Sequence, residues 1–199
     1  MWDQRYQIVS YFYGTEPNDF LREQAARIPD SAEVLCLAEG EGRNAVFLAS
    51  RGLRVTGVDG SRVGLEKAER LAAARNVSIE TVVADLSTWE LGEARWDAVV
   101  SIWAHLPAAL RASLHPRIAR ALRPGGRLLL EHYHPKQIDY GTGGPPDPSM
   151  MLTLAEMDRD FPGWTRLHAF EGERDVHEGL GHNGKSFVTQ LVLEKPANP

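Results

Sequence analysis

Three short apolar runs in the first half of the chain each lead into a carboxylate: Val34–Leu37 into Glu39, Val55–Val58 into Asp59, and Ile79–Val83 into Asp85. Runs of this length and composition suit strands buried on both faces of a parallel sheet. In such sheets ligands sit outside the carboxyl ends of the strands, so the three acids should converge on one crevice. Carboxylates placed there accept hydrogen bonds from hydroxyl and amino groups, and Gly40 and Gly42 let the backbone approach a ligand closely, a nucleotide-type pocket. A second set, Trp103 and His105, then His132, Tyr133 and His134, follows two further apolar runs and could line an acceptor pocket. Tyr11, Tyr13 and Tyr140 stand in segments able to cover it.

The elements that must position these groups alternate. Asn18 can cap a leading helix to Ile28 with Phe20, Leu21, Ala25 and Ile28 on one face, and Pro29 follows its end. Strand Val34–Leu37, a glycine turn and a helix starting at Ala45–Ala49 and closed by Gly52 make half of a βαβ unit. Val55–Val58, a helix capped by Ser61 and ending near Asn76, and Ile79–Val83 repeat the pattern. Trp96–Ile102 is a fourth strand, Pro107 suits a first helical turn, and Leu110, Leu114, Ile118 and Leu122 recur at helical spacing. Arg123–Gly126 then breaks the helix before a fifth strand, Arg127–Glu131. Thr153–Glu156 is a capping-box signature, and Thr165–Glu173 with Lys185–Leu193 form two strands joined by a loop containing Gly and His. The order predicts an α/β fold, a doubly wound Rossmann-like sheet of about seven strands, mostly parallel with an antiparallel C-terminal strand.

With 199 residues, 43% hydrophobic and 25% charged, the chain is expected to form a single domain. Its net charge of −5 and scattered Lys and Arg argue against a nucleic-acid partner. The lone cysteine, Cys36, cannot form an intrachain disulfide and reads as a small buried side chain. No signal-peptide pattern and no bilayer-length apolar run are present, so the expected setting is cytoplasmic with no membrane partner.

Gly40, Gly42 and Ala45 satisfy G-x-G-x-x-G/A, with Asp59 near the expected distance for a nicotinamide dinucleotide. Glu39 and Glu41, however, would set negative charge beside a pyrophosphate. S-adenosylmethionine carries no phosphate but an ammonium, a carboxylate and a sulfonium. A carboxylate at Glu39 could attract it, Asp59 could accept both ribose hydroxyls, and Asp85 the adenine amino group, with Leu86 against the ring.

WDQRY and YGTEPNDF near the N-terminus, GEGRN, VDGS, the LRPGG turn and the terminal strand pair together resemble the class I S-adenosylmethionine-dependent methyltransferases. The narrower resemblance is to small bacterial TehB-like proteins related to tellurite resistance. The superfamily usually reads VLDLGCGTG, whereas Cys36 stands here at the acid and Ala38 at the first glycine. The resemblance implies a cofactor side of Glu39, Gly40, Gly42, Arg43, Asn44, Asp59, Gly60, Ser61, Asp85, Leu86 and Ser101. It implies that residues 1–30 form a cap and 132–152 a lid loop.

Methyl transfer from a sulfonium is an in-line displacement on an activated carbon, so alignment and exclusion of water are the main tasks. A thiolate or a chalcogen oxyanion needs no base; a hydroxyl or protonated amine does, and His105 is the candidate. His132 and His134, with His177 and His182, superficially suggest metal, but no third ligand has fixed spacing and no metal is expected. The expected function is methylation of a small molecule. A non-catalytic S-adenosylmethionine-binding module and an NAD(P)-dependent reductase are the alternatives.

Overall fold

The computed structural model describes residues 2–197. Seven strands, β1 (Glu33–Leu37), β2 (Arg54–Asp59), β3 (Glu80–Val83), β4 (Trp96–Ile102), β5 (Leu122–Tyr133), β6 (Thr165–Glu178) and β7 (His182–Glu194), form one sheet in the order β3-β2-β1-β4-β5-β7-β6. β1 to β5 are mutually parallel, and β7 pairs antiparallel with both β5 and β6. The sheet is therefore the expected one, and its strand order reverses between β1 and β4, the switch point at which a crevice opens.

The buried runs of β1, β4 and β5 have apolar side chains on both faces, so helices must cover both. On one face Val34, Cys36, Val100 and Leu129 pack with Phe20 and Leu21 of α2 (Asp19–Gln24) and Leu48 of α3 (Arg43–Ser50). On the other, Leu35, Val99, Leu128 and Leu130 pack with Leu114 and Ile118 of α5 (Ala108–Ala121) and Met157 of α6 (Leu154–Asp160). Helix α4 (Arg62–Ala74) is capped by the Ser61 hydroxyl, which accepts from Gly64 N–H at 3.1 Å. The capping box of Thr153 and Glu156 is present in both directions.

Several boundaries differ from the sequence reading, each for a physical reason. Asn18 caps a helix of only 6 residues, which tightens into a 3-10 turn over Ala25–Arg27. Pro107 lies one residue outside α5, as its cap rather than in its first turn. The Arg123–Gly126 turn is absorbed into β5 as a register shift against β4, because Leu122 already pairs with Trp96. Most consequentially, β6 and β7 run on to Glu178 and His182 and leave only Gly179–Gly181 as the turn. Arg174, Glu178 and His182, in a stretch whose sequence reads as loop, face a buried polar cluster, while Asp175 and His177 between them face solvent.

A short helix unforeseen in the sequence, α1 (Trp2–Tyr6), lies against α4. Its Tyr6 ring fills the space beside Gly40 and Gly64, and Asp3 accepts from the Ser61 hydroxyl. Among the described residues no helix is long and apolar enough to cross a membrane.

Candidate active site

The loop after β1 is held by carboxylates that bond backbone. Asp59 accepts from Gly40 N–H at 2.9 Å and from Ser61 N–H at 2.7 Å, tying the β1 loop to the end of β2. A carboxylate has about four acceptor sites, so two remain for a ligand's hydroxyls. Burial raises the Asp59 pKa, and the two N–H groups oppose that rise. Gly42 has φ +89°, and a Cβ there would stand 2.4 Å from the Cβ of Ala68; the glycine is what lets α3 start against α4. Ala38, at the superfamily's first glycine, keeps the glycine-like backbone at φ +50°.

Glu39 departs from its expected place. Its Oε1 accepts from Ala45 N–H at 2.8 Å, so the carboxylate turns under the loop to cap the first turn of α3 rather than facing a ligand's ammonium. Burial pushes its pKa up to about 7 against the pull of the Ala45 N–H and the Arg43 charge. Glu41 is also neutralised, by the buried Lys67 ammonium. A pyrophosphate is disfavoured because the α3 N-terminus that would receive it is already occupied by the Glu39 carboxylate.

Arg43 and Asn44 open α3 and turn inward. Asn44 Oδ1 accepts from Asn18 N–H at 3.0 Å. Arg43 Nη2 bonds Glu178 at 2.5 Å, while its buried Nη1 has no hydrogen-bond partner among the described residues. An orphaned guanidinium N–H beside a glycine loop suits a carboxylate ligand, so the residues present fit the methionine end of S-adenosylmethionine. Asp85 is exposed, caps the next turn through Ser87 N–H at 2.8 Å, and precedes the buried Leu86. Gly60 lies in the β2–α4 turn with Ser61.

The second expected set of residues gathers into an aromatic cluster. His182 stacks on Tyr13 at 4.9 Å and on Trp103 at 4.9 Å, and Trp103 leans on Tyr133 at 4.4 Å. The Tyr133 hydroxyl bonds His182 Nδ1 at 2.9 Å. His105 stacks on Tyr133 at 5.3 Å, and its Nε2 accepts the Tyr133 N–H at 3.2 Å, which spends the lone pair a base would use. Burial brings the His105 pKa down to about 4 despite the nearby Trp103 carbonyl, and that of His182 to about 3 despite Glu178. His132 lies in the α5 layer with Nε2 3.3 Å from the Ser101 hydroxyl. Tyr11 packs against the small apolar cluster of Val46, Leu71 and Ala72, apart from the other rings, and its hydroxyl bonds Lys67 O at 3.0 Å. Tyr140 does not join the cluster: its hydroxyl bonds Glu173 at 2.5 Å on β6. Gly143 and Gly144 of the same loop do pack against Tyr133. His134 pairs with Glu171 and His177 with Asn183, so the four histidines go to separate partners.

Beneath the aromatics lies a cluster the sequence reading missed. Glu131 takes Arg174 Nε at 2.7 Å and Nη2 at 2.9 Å, Asn18 Nδ2 at 2.5 Å and Gln190 Nε2 at 2.7 Å. Glu178 takes Asn18 Nδ2 at 2.8 Å, Arg174 Nη2 at 2.9 Å and Trp103 Nε1 at 2.7 Å besides Arg43. Strand alternation beyond Glu173 was the available signal. Across the mouth, Lys67 Nζ donates to the carbonyls of Ile8 at 3.1 Å and Ser10 at 2.7 Å, and Glu41 accepts Phe12 N–H at 2.8 Å. A buried ion pair therefore straps the N-terminal segment across the loop.

Residues 34–126 match the family described as a methyltransferase domain. A 2-heptyl-1-hydroxyquinolin-4(1H)-one methyltransferase from Mycobacteroides abscessus is 29% identical over 101 residues, 49% of this chain and 44% of that protein. The chain thus spans less than half the length of this curated relative. Among solved structures, the one described for conversion of a disulfide bond into a thioacetal group during echinomycin biosynthesis superposes with TM-score 0.77 at 21% identity, covering 99% of this chain and 91% of that one. TehB from Haemophilus influenzae gives 0.71 at 22% identity, covering 87% and 60%. The N-methyltransferase NodS from Bradyrhizobium japonicum WM9, in complex with S-adenosyl-L-homocysteine, gives 0.71 at 12% identity, covering 98% and 96%. The chain shares its fold with these structures. The matched domain spans β1 to β4 and the start of β5, and the superposed NodS structure holds S-adenosyl-L-homocysteine.

Proposed function

We propose that this protein transfers a methyl group from S-adenosylmethionine to a small-molecule acceptor that is already nucleophilic at neutral pH, such as a thiolate or a chalcogen oxyanion. The observation that carries the cofactor half is the buried Arg43 Nη1, unpartnered among the described residues, at the glycine loop that Asp59 holds. Arg43 would hold the cofactor carboxylate, Asp59 the ribose hydroxyls, and Asp85 with Leu86 the adenine. When bound, the cofactor supplies a methyl group on a cationic sulfur. Residues 1–30 serve as a cap, fastened by Lys67, and 132–152 as a lid whose glycines rest on Tyr133.

The acceptor half rests on the state of the candidate bases. His105 and His182 are held neutral far below pH 7, and the Glu178 oxygens are filled by four donors. His105 then serves as a wall of the pocket rather than as a base, and an acceptor needing deprotonation is poorly served. The neighbour named for disulfide-to-thioacetal conversion is compatible with a sulfur acceptor.

The test is formation of S-adenosylhomocysteine with a panel of thiols, tellurite and selenite, primary amines and alcohols. Turnover confined to the first two groups supports the assignment. Turnover of alcohols that is abolished in His105→Ala reinstates a base. Cofactor binding with no turnover on any acceptor class favours the non-catalytic binding module.

A further inference from the structure

Burying ions is expensive, and an ion cluster replaced by packed apolar residues often costs a fold nothing. Four donors nevertheless converge on one carboxylate at a hairpin tip. Glu178 Oε2 accepts from Arg43 Nη2 and Trp103 Nε1, and Oε1 from Asn18 Nδ2 and Arg174 Nη2. Its side chain is 4% exposed. These partners come from the glycine loop, the end of β4, the cap of α2 and the hairpin itself.

Trp103 is the informative one. It sits immediately after β4 with φ +54°, a backbone conformation that a bulky side chain adopts only when its surroundings enforce it. The surroundings are the Glu178 carboxylate on its indole N–H and the rings of His182 and Tyr133 on its faces. Arg43, on the same carboxylate oxygen, is the residue with the spare N–H at the glycine loop.

We infer that Glu178 is a positioning residue that couples the cofactor loop to the acceptor wall, through Arg43 on one side and Trp103 on the other. This rests on the reading of Arg43 as a cofactor contact. A ligand that draws on Arg43 shifts the hold on Trp103 through a shared oxygen, so binding at the loop is felt by the indole.

Because every partner of Glu178 is a donor, glutamine cannot substitute. Whichever way its amide is turned, an NH2 group faces two donors. Calorimetric titration with S-adenosylhomocysteine, run beside tryptophan emission, reads both ends of the coupling, and Trp103→Phe assigns the part of the emission change due to Trp103. In the wild type, binding changes Trp103 emission. In Glu178→Gln we expect affinity about tenfold lower and the Trp103 response lost, while Asp175→Asn, exposed on the same strand, leaves both intact. If Glu178→Gln does not fold, Glu178→Asp, which keeps the charge but shortens the reach to Trp103, is expected to lose the emission response. An unchanged affinity and response in a folded Glu178 variant overturns the coupling. Absence of S-adenosylhomocysteine binding in the wild type overturns the cofactor reading itself.

Discussion

At the glycine loop, where we propose the cofactor binds, the carboxylates find partners close by in the chain: Glu39 meets Ala45 six residues on, Asp59 meets Ser61 two residues on and Gly40 19 residues before. Beneath the aromatic cluster, where we propose the acceptor binds, Asn18 reaches Glu131 across 113 residues and Glu178 across 160, and Arg43 comes from the glycine loop to reach Glu178 across 135. One βαβ unit builds the first region, largely from backbone and glycine. The second exists only when the whole sheet, the N-terminal segment and the terminal hairpin have assembled. Damage to the second should therefore be felt by the entire molecule, and damage to the first mainly by the ligand.

The largest expected effect follows directly. Glu131→Ala removes a fully buried acceptor from Arg174, Asn18 and Gln190 and should cost about 4 kcal/mol, the scale for breaking a buried ion pair. Denaturant unfolding of the variant reads this, and a loss under 1 kcal/mol would show that the cluster is dispensable to the fold.

The same contrast explains what was legible in the sequence. The alternation of strands and helices, the Asn18 and Ser61 caps, the capping box at Thr153 and the acids at the strand ends depend on spacings within one or two elements, which the chain displays openly. Glu178 and Arg174 carry the polar character of a loop in the sequence, because their burial is decided by partners far away, Asn18 and Arg43 for Glu178 and Glu131 for Arg174. The glycine-rich setting of Tyr140 points to a lid residue, but its hydroxyl is drawn to Glu173. Glu39 lay where the spacing placed it, but the unsatisfied N–H groups at the start of α3 competed for its carboxylate and won.

Asp59→Ala should lower affinity for S-adenosylmethionine by tenfold or more, and stability by about 2 kcal/mol through the N–H groups it leaves unbonded. His105→Ala should change that affinity less than about threefold, since its contacts are with Tyr133 and Trp103. Equal losses would erase the division between the two sides.

Acid separates them by sign. His105 and His182 have folded pKa values of about 4 and about 3 against 6.5 unfolded, so the unfolded chain binds more protons and stability falls as pH drops from 6.5 toward 4. Glu39, at about 7 folded against 4.5 unfolded, does the reverse: the folded chain binds the proton first, and stability rises as pH drops from 7 toward 4.5. Between pH 7 and 5 the melting temperature of the wild type should fall by about 5 °C. Glu39→Gln should steepen that fall and His182→Gln should flatten it. Parallel profiles for the three proteins would refute these assignments.

The smallest effect is expected at Ala38. Glycine relieves the positive φ but gives the unfolded chain more freedom, and the two terms leave a net stabilisation of about 0.5 kcal/mol. A destabilisation above 1 kcal/mol would mean that the alanine methyl group packs usefully at the end of β1.

Calorimetric titration of the purified protein with S-adenosylmethionine and, in parallel, NADH tests the central claim most directly. The account predicts micromolar, one-to-one binding of S-adenosylmethionine and none of NADH. Binding of NADH instead, or silence with both, would contradict it.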